Sequence, residues 1–355
     1  MNRALLLAGG GARGAFQVGM LEELVINQGL DFQIIRGVSV GALNAAFLAQ
    51  APTDGDSQQE LAKKVLEIVN VWVTEIKGNH SIYTERAGLA GLALGMDSLY
   101  ALGPARALID RHISLNALIA SKRDFAVGTV SLVTGKYAEW TPSQTPSDFM
   151  DRFLASASIP VVFPFVDLKQ ARDVLVDGGV RNMTPLSSAF RSNPDEIYIL
   201  LTSRIDPNVK GIPDSAVEEN DYEQWDDNWL GTKVSGFDVL RRTLEILSDE
   251  VYLDDIRGAI HWNAVAGAIG RLNVSPGADA GLAASVEAAK EALGHAGKRH
   301  APIFVLAPRV WFDENNQKGN RNSSTNFSPA LIQNAIAHGR KVAADKSLWV
   351  WPPAA

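Results

Sequence analysis

The sequence predicts an α/β fold in which a parallel sheet carries helices on its faces. Three observations predict it. The first fifty residues read strand, helix, strand, helix with short turns between them. Further short apolar runs recur down the chain between segments of helical period. The 355 residues are 46% hydrophobic, enough to bury a large core. Strands and helices that alternate at this spacing fold as β-α-β units.

The elements follow in order. Ala4 to Ala8 is an apolar strand running into glycines. Ala15 to Gln28 is a helix, with Phe16, Met20, Leu21, Leu24 and Val25 on one face and a stop at Gly29. Phe32 to Val38 is the second strand, and Gly41 to Gln50 is an alanine-rich helix. Glu60 to Lys77 continues as helix. Residues 86–112, rich in Ala, Gly and Leu, also read as helical and end on Asp110, Arg111 and His112. Phe125 to Val133 is a strand with Lys136 to Trp140 as its partner. Phe149 to Ala157 is a helix that stops before Ile159-Pro160. Asp173 to Asp177 and Glu196 to Thr202 are strands. Residues 205–235 hold Pro207, Pro213, many acids and two tryptophans without periodicity, and read as a long surface loop or lid. Helices at about 236–258 and 279–295, a strand from Ile303 to Leu306 and a helix from Ser328 to Asp345 complete the pattern. The tail Trp349-Val350-Trp351-Pro352-Pro353 reads as packing back onto the body rather than anchoring at an interface.

Composition narrows the function. The net charge is −7, which disfavours nucleic acid or an anionic membrane as a long-range electrostatic partner but leaves room for a local basic patch. There are no cysteines, so disulfides, thiolate metal sites and cysteine nucleophiles are excluded. Met1-Asn2-Arg3 precedes only five apolar residues, which fit a strand better than a signal peptide. The apolar run from Ala87 to Leu94 is too short to span a bilayer. A cytoplasmic protein is the default expectation. There is no H-E-x-x-H or other metal-ligand spacing, so no metal is expected.

Gly9, Gly11 and Gly14 satisfy G-x-G-x-x-G. A dinucleotide site needs an acid at the end of the second strand, and that strand ends in Ser39; Asp31 lies before it. Gly37-Val38-Ser39-Val40-Gly41 is instead the G-x-S-x-G of a nucleophile elbow. A sharp strand-to-helix turn needs small residues two positions either side of the serine. It also puts the hydroxyl at a helix N-terminus, where developing negative charge is favoured. Neighbouring parallel strands end at one sheet edge, so residues 9–14 are expected beside Ser39, with backbone amides of Gly9, Gly10, Gly11, Ala12, Arg13 and Gly14 available to an oxyanion. Arg13 adds a fixed positive charge there.

The serine needs a base. His261, His295, His300 and His338 lie downstream, but none sits in a strand-to-loop context. Asp177 ends the apolar strand Val174-Leu175-Val176 and precedes Gly178-Gly179. Two small residues let the carboxylate approach another loop, and partial desolvation raises its basicity.

These motifs in this order resemble the patatin-like phospholipase family: Gly9-Gly10-Gly11-Ala12-Arg13-Gly14, then Gly37-Val38-Ser39-Val40-Gly41 continuing Ala42-Leu43-Asn44-Ala45, then Asp177-Gly178-Gly179. The segment Ala155-Ser156-Ala157-Ser158-Ile159-Pro160, leading to Phe163-Pro164, is also similar. The firm resemblance covers about residues 4–190. It implies a three-layer α/β/α fold and a lipid acyl hydrolase that needs no cofactor or metal. Carried over, Ser39 is the nucleophile and Asp177 the base; the amides around Gly10, Gly11 and Ala12 form the oxyanion hole, with Arg13 supporting their loop. Residues 1–204 would be the catalytic core, 205–235 the loop or lid, and 236–355 a helical continuation of the same domain. The substrate would be a lipid or fatty acyl ester, of phospholipase A or lysophospholipase type. The stretch 86–102 would line the acyl channel, touch a membrane surface transiently, or simply form a buried helix. Competing readings are a general carboxylesterase or thioesterase on the same pair of residues, a dinucleotide-binding protein, and a non-catalytic regulator. Nothing in the pattern specifies an oligomeric state.

Overall fold

β1 (Arg3–Leu7) is buried from Ala4 onward, and its two faces feed two different cores. Leu5 and Leu7 pack with Phe16, Ile35, Val127 and Leu200 on one side. Ala4 and Leu6 pack with Ile34, Ile199 and Val305 on the other. That period-two division makes β1 a central strand covered on both faces. The computed structural model describes residues 1–203, 243, 255–272, 279–295, 300–309 and 324–350. The predicted loop at 205–235 lies outside these residues, as does most of the predicted helix at 236–258.

The main sheet runs β10 (Ile303–Leu306), β9 (Glu196–Leu200), β1, β2 (Ile34–Gly37), β5 (Asp124–Ser131), β8 (Asp173–Asp177) and β7 (Val166–Leu168). From β10 to β5 every pairing is parallel. β8 and β7 close the other side antiparallel, and β6 (Tyr137–Trp140) pairs antiparallel with β5. Helices cover both faces. α1 (Gly14–Leu21), α2 (Val40–Ala49) and α3 (Ser57–Asn70) supply the first core. The helix Leu186–Arg191 and residues of the helix at 255–270 supply the second. The architecture is therefore three-layered α/β/α with a mainly parallel sheet, as the resemblance implied.

The C-terminal helix Pro329–Ala344 is capped by Ser328, whose side chain accepts from the Leu331 amide. It crosses α1 closely. A Cβ at Gly19 would lie 2.0 Å from the Ile336 carbonyl, and one at Gly339 would lie 2.2 Å from that of Phe16. Trp349 and Val350 are buried, with Trp349 Nε1 donating to the Val342 carbonyl, so the tail packs back as expected; residues from 351 on lie outside the described set.

One element needs correction. Residues 86–112 are not one helical run. A short helix α4 (Gly88–Ala93), a two-stranded ribbon of β3 (Thr84–Glu85) with β4 (Tyr100–Ala101), and α5 (Gly103–His112) divide it. Gly95, at φ 91°, turns the chain after α4. Leu94 is 84% exposed, which rules out a buried helix there. Among its described side chains, the stretch reaches the core through Leu99, Leu102, Ala105 and Ile109.

Candidate active site

The register of the sheet brings Ser39 and Asp177 to one level. Gly37 at the end of β2 pairs with Val127 of β5. Two residues further along β5, Thr129 pairs with Asp177 of β8. Ser39, two residues past Gly37, therefore sits at the Asp177 level on the carboxyl edge of the parallel strands, where such sheets place their sites.

Ser39 occupies φ 56°, ψ −133°, a conformation that costs a non-glycine residue about 1–3 kcal/mol. The surroundings hold it there. The Ser39 amide donates to Ser156 Oγ at 3.1 Å, and that hydroxyl donates in turn to the Gly128 carbonyl at 2.7 Å. The Ser39 carbonyl accepts from the amides of Ala42 and Leu43, opening α2. The flanking glycines are required by space. A Cβ at Gly37 would lie 2.6 Å from Ala42 Cα, and one at Gly41 would lie 2.0 Å from the Leu7 carbonyl. The serine thus caps a helix whose dipole favours negative charge at its side chain.

Asp177 ends β8, its amide donating to the Ser158 carbonyl at 3.0 Å. Its Oδ1 accepts from the Gly179 amide at 2.8 Å, so the Asp-Gly-Gly turn orients the carboxylate. Gly178 packs against β5, where a Cβ would come within 2.5 Å of the Gly128 carbonyl. Oδ2 is buried and lies outside good hydrogen-bond geometry with any donor among the described residues. Burial pushes the carboxyl up to about 7, against the Ser39 hydroxyl and the Gly179 amide, which both pull it down. The Ser39 hydroxyl is therefore an electrostatic neighbour of Asp177 even though the pair is not in ideal hydrogen-bond geometry, as is common without substrate.

The glycine loop lies against this pair. A Cβ at Gly9 would meet Ser39 Cβ at 3.0 Å. Gly11–Arg13 form a single 3-10 turn with Gly10 as its cap. The leading amides of such a turn have no acceptor within it, which leaves Gly11 and Ala12 able to donate to an anion. Gly10 has φ 147° and packs on Thr202, whose hydroxyl donates to the Gly9 carbonyl. Arg13 is buried, and its Nη1 donates to Ser203 Oγ at 3.0 Å. It ties the loop to the chain beyond β9. Gly14 follows at the start of α1, packed on Val40.

A pocket of about 850 Å³, its open mouth included, leads from Ser39 and Gly11. Val40, Leu43 and Phe47 of α2, Trp72 and Ile76 beyond α3, Leu102, and Ala105 and Ile109 of α5 form much of its wall. No histidine lines it among the described residues. His338 Nε2 accepts from the Arg309 amide, its ring against Phe16 of α1, and burial with nearby Lys341 and Arg309 pushes its pKa down to about 4.

Sequence reasoning missed a buried polar chain beneath the site. Gln17 donates to the carbonyls of Ala8 and Leu200 at 2.8 and 2.9 Å. Asn44 donates to Gln17 Oε1 and to the Gly14 carbonyl, and accepts from Trp72 Nε1 at 3.0 Å. Four elements are thereby pinned where the pocket meets the glycine loop. Polar Gln17 inside an otherwise apolar helix was the available signal. Ser156 was visible in the quoted Ala155–Pro160 segment, but its partner, the Ser39 amide, is 117 residues away.

The family model for patatin-like phospholipases matches residues 5–190. The chain belongs to the patatin-like phospholipase family, a family of lipid ester hydrolases. It is 26% identical over 230 residues to a cGAMP-activated phospholipase of Escherichia coli (strain TW11681). That alignment takes in 56% of this chain and 60% of the relative, so it spans less than two thirds of that protein's length. Among solved structures, VipD from Legionella pneumophila aligns over 97% of this chain and 66% of its own, with a TM-score of 0.36 and 11% identity. A likeness that distant carries no argument.

Proposed function

We propose that this protein is a serine acyl hydrolase that cleaves carboxylic esters of lipids through Ser39 and Asp177, as a phospholipase A or lysophospholipase. The observation that carries the reading is a serine in a strained elbow, beside a buried carboxyl raised to about 7, at the head of an apolar pocket. Ser39 Oγ attacks the ester carbonyl while Asp177 takes its proton. The tetrahedral oxyanion meets the amides of Gly10, Gly11 and Ala12 and the N-terminus of α2. Collapse returns the proton to the leaving alcohol and leaves the acyl chain on Ser39. Water, deprotonated by Asp177, then attacks the acyl-enzyme and releases the fatty acid. Every proton in this cycle moves through one carboxyl, whose raised pKa suits it to act as base and acid near neutrality.

The apolar wall favours a fatty acyl chain over a small acyl group. The 236–355 segment is read as completing the same domain, a reading supported by β10 extending the sheet and by the C-terminal helix crossing α1. The test is hydrolysis of p-nitrophenyl esters from acetate to palmitate, with chelator present, by wild type, Ser39→Ala and Asp177→Asn. Chelator-resistant activity lost in both variants, with an optimum at longer chains, is expected. Full activity in Ser39→Ala refutes the reading, and an optimum at acetate turns it toward a general carboxylesterase.

A further inference from the structure

The carboxyl edge of the sheet does not end at the candidate active site. β5 continues past Thr129, the partner of Asp177, to Ser131, about 7 Å further along the strand. It then turns through Leu132, Val133 and Thr134 before β6. β8 begins at Asp173, four residues before Asp177, so the turn joining it to β7 at 169–172 lies about 13 Å beyond the Asp177 level on the same edge. Two hairpin turns therefore project past Ser39 and Asp177, side by side.

Their side chains combine exposed apolar groups with exposed cations. Leu132 is 54% exposed and Val133 is 64% exposed. β-branched and aliphatic side chains at the tip of a hairpin have nothing to pack on in water. The other turn carries Lys169 and Arg172, both exposed. Lys136 follows the apolar tip, and Arg181, which donates to the Gly135 carbonyl at 2.8 Å, braces it. None of these four cations pairs with a carboxylate among the described residues. They stand against Asp167 and Asp173, the latter engaged by the Ser131 hydroxyl. The chain as a whole carries −7, so a locally cationic edge runs against its trend.

An apolar tip flanked by cations fits one kind of partner: apolar side chains enter the acyl boundary while Lys and Arg meet anionic headgroups. We propose that the β5–β6 and β7–β8 turns form a docking surface for a phospholipid bilayer bearing anionic headgroups. Docked there, the carboxyl edge faces the membrane, and a lipid leaving the bilayer meets Ser39 first. The inference rests on the reading of this site as a lipid acyl hydrolase, which supplies the reason for the edge to meet a membrane.

The experiment is flotation of the full chain with vesicles of phosphatidylcholine plus phosphatidylglycerol, and with vesicles of phosphatidylcholine alone. Wild type is expected to float with the anionic vesicles and to be released by salt, which screens exposed charges. Two paired variants, Leu132→Asp with Val133→Asp and Lys169→Glu with Arg172→Glu, are expected to bind at least about tenfold more weakly. Both should keep wild-type hydrolysis of a soluble short-chain ester, which reports the fold and the catalytic pair. Wild type that stays with neither vesicle, or variants that float as wild type does, overturn the proposal. The salt titration of wild type needs no variant, so it decides the electrostatic part even if a paired substitution disturbs folding. Flotation also needs no turnover. A chain that floats but hydrolyses no ester contradicts the hydrolase reading alone, and one that hydrolyses soluble esters without floating contradicts the docking surface alone.

Discussion

Asp177→Asn should stabilise the protein at alkaline pH while removing its activity. The carboxyl is 4% exposed, and burial raises it from 3.8 to about 7. A folded-state pKa above the unfolded value means that the native chain holds the proton more tightly. Stability from this group is therefore fully present below about pH 4 and falls as pH rises toward 7. At ~1.4 kcal/mol per pH unit, the gap corresponds to about 4 kcal/mol, an upper bound because the site relaxes around the charge. Asparagine keeps an oxygen to accept from the Gly179 amide and carries no charge at any pH. Urea denaturation of both proteins across pH 4 to 9 isolates the term, since every other titrating group is shared. The stability of Asp177→Asn minus that of wild type should climb by ~1.4 kcal/mol per unit to near pH 7 and then level off. A difference that stays constant across that window would refute a raised carboxyl, and with it the argument that Asp177 is tuned as a base.

Other expectations follow from the same site. In kcat/KM for a soluble butyrate ester, activity should fall about tenfold per unit as pH drops below about 7; a flat profile from pH 5 to 9 contradicts Asp177 as the base. Ala105→Phe fills the pocket wall and should shift the ester optimum to shorter chains, with palmitate losing about tenfold or more relative to acetate; an unchanged chain-length profile argues that the acyl chain lies elsewhere. Asn44→Ala strands the Trp72 indole N–H and Gln17 Oε1, and should cost about 2–4 kcal/mol in denaturant titration. A change within error would show that water replaces the side chain there.

The sheet was legible in the sequence where strands are apolar on both faces. Asp173–Asp177 and Ile303–Leu306 occur as read, and β1 and β2 pair in parallel. β7 was not, because three residues after Pro164 offer no period to detect. Residues 86–112 misled for a related reason: Ala, Gly and Leu are compatible with helix whether or not a core covers them. The exposure of Leu94 and the ribbon of β3 with β4 depend on distant partners; Leu99 and Tyr100 donate to the carbonyls of Val161 and Val162. At the site, Ser39 and Asp177 stood out because glycines must flank each of them. Their supports did not. Ser156, Asn44 and Gln17 act through partners far away in sequence, and a lone polar residue in an apolar helix does not announce which carbonyl it serves.

Covalent labelling shows whether Ser39 is the nucleophile. The protein would be treated with a fluorophosphonate ester and digested, and the adduct located by mass spectrometry. A single adduct is expected on the peptide carrying Ser39, absent in Ser39→Ala and formed far more slowly in Asp177→Asn. An adduct on another residue, or ester hydrolysis that continues with Ser39 unlabelled, would contradict that role.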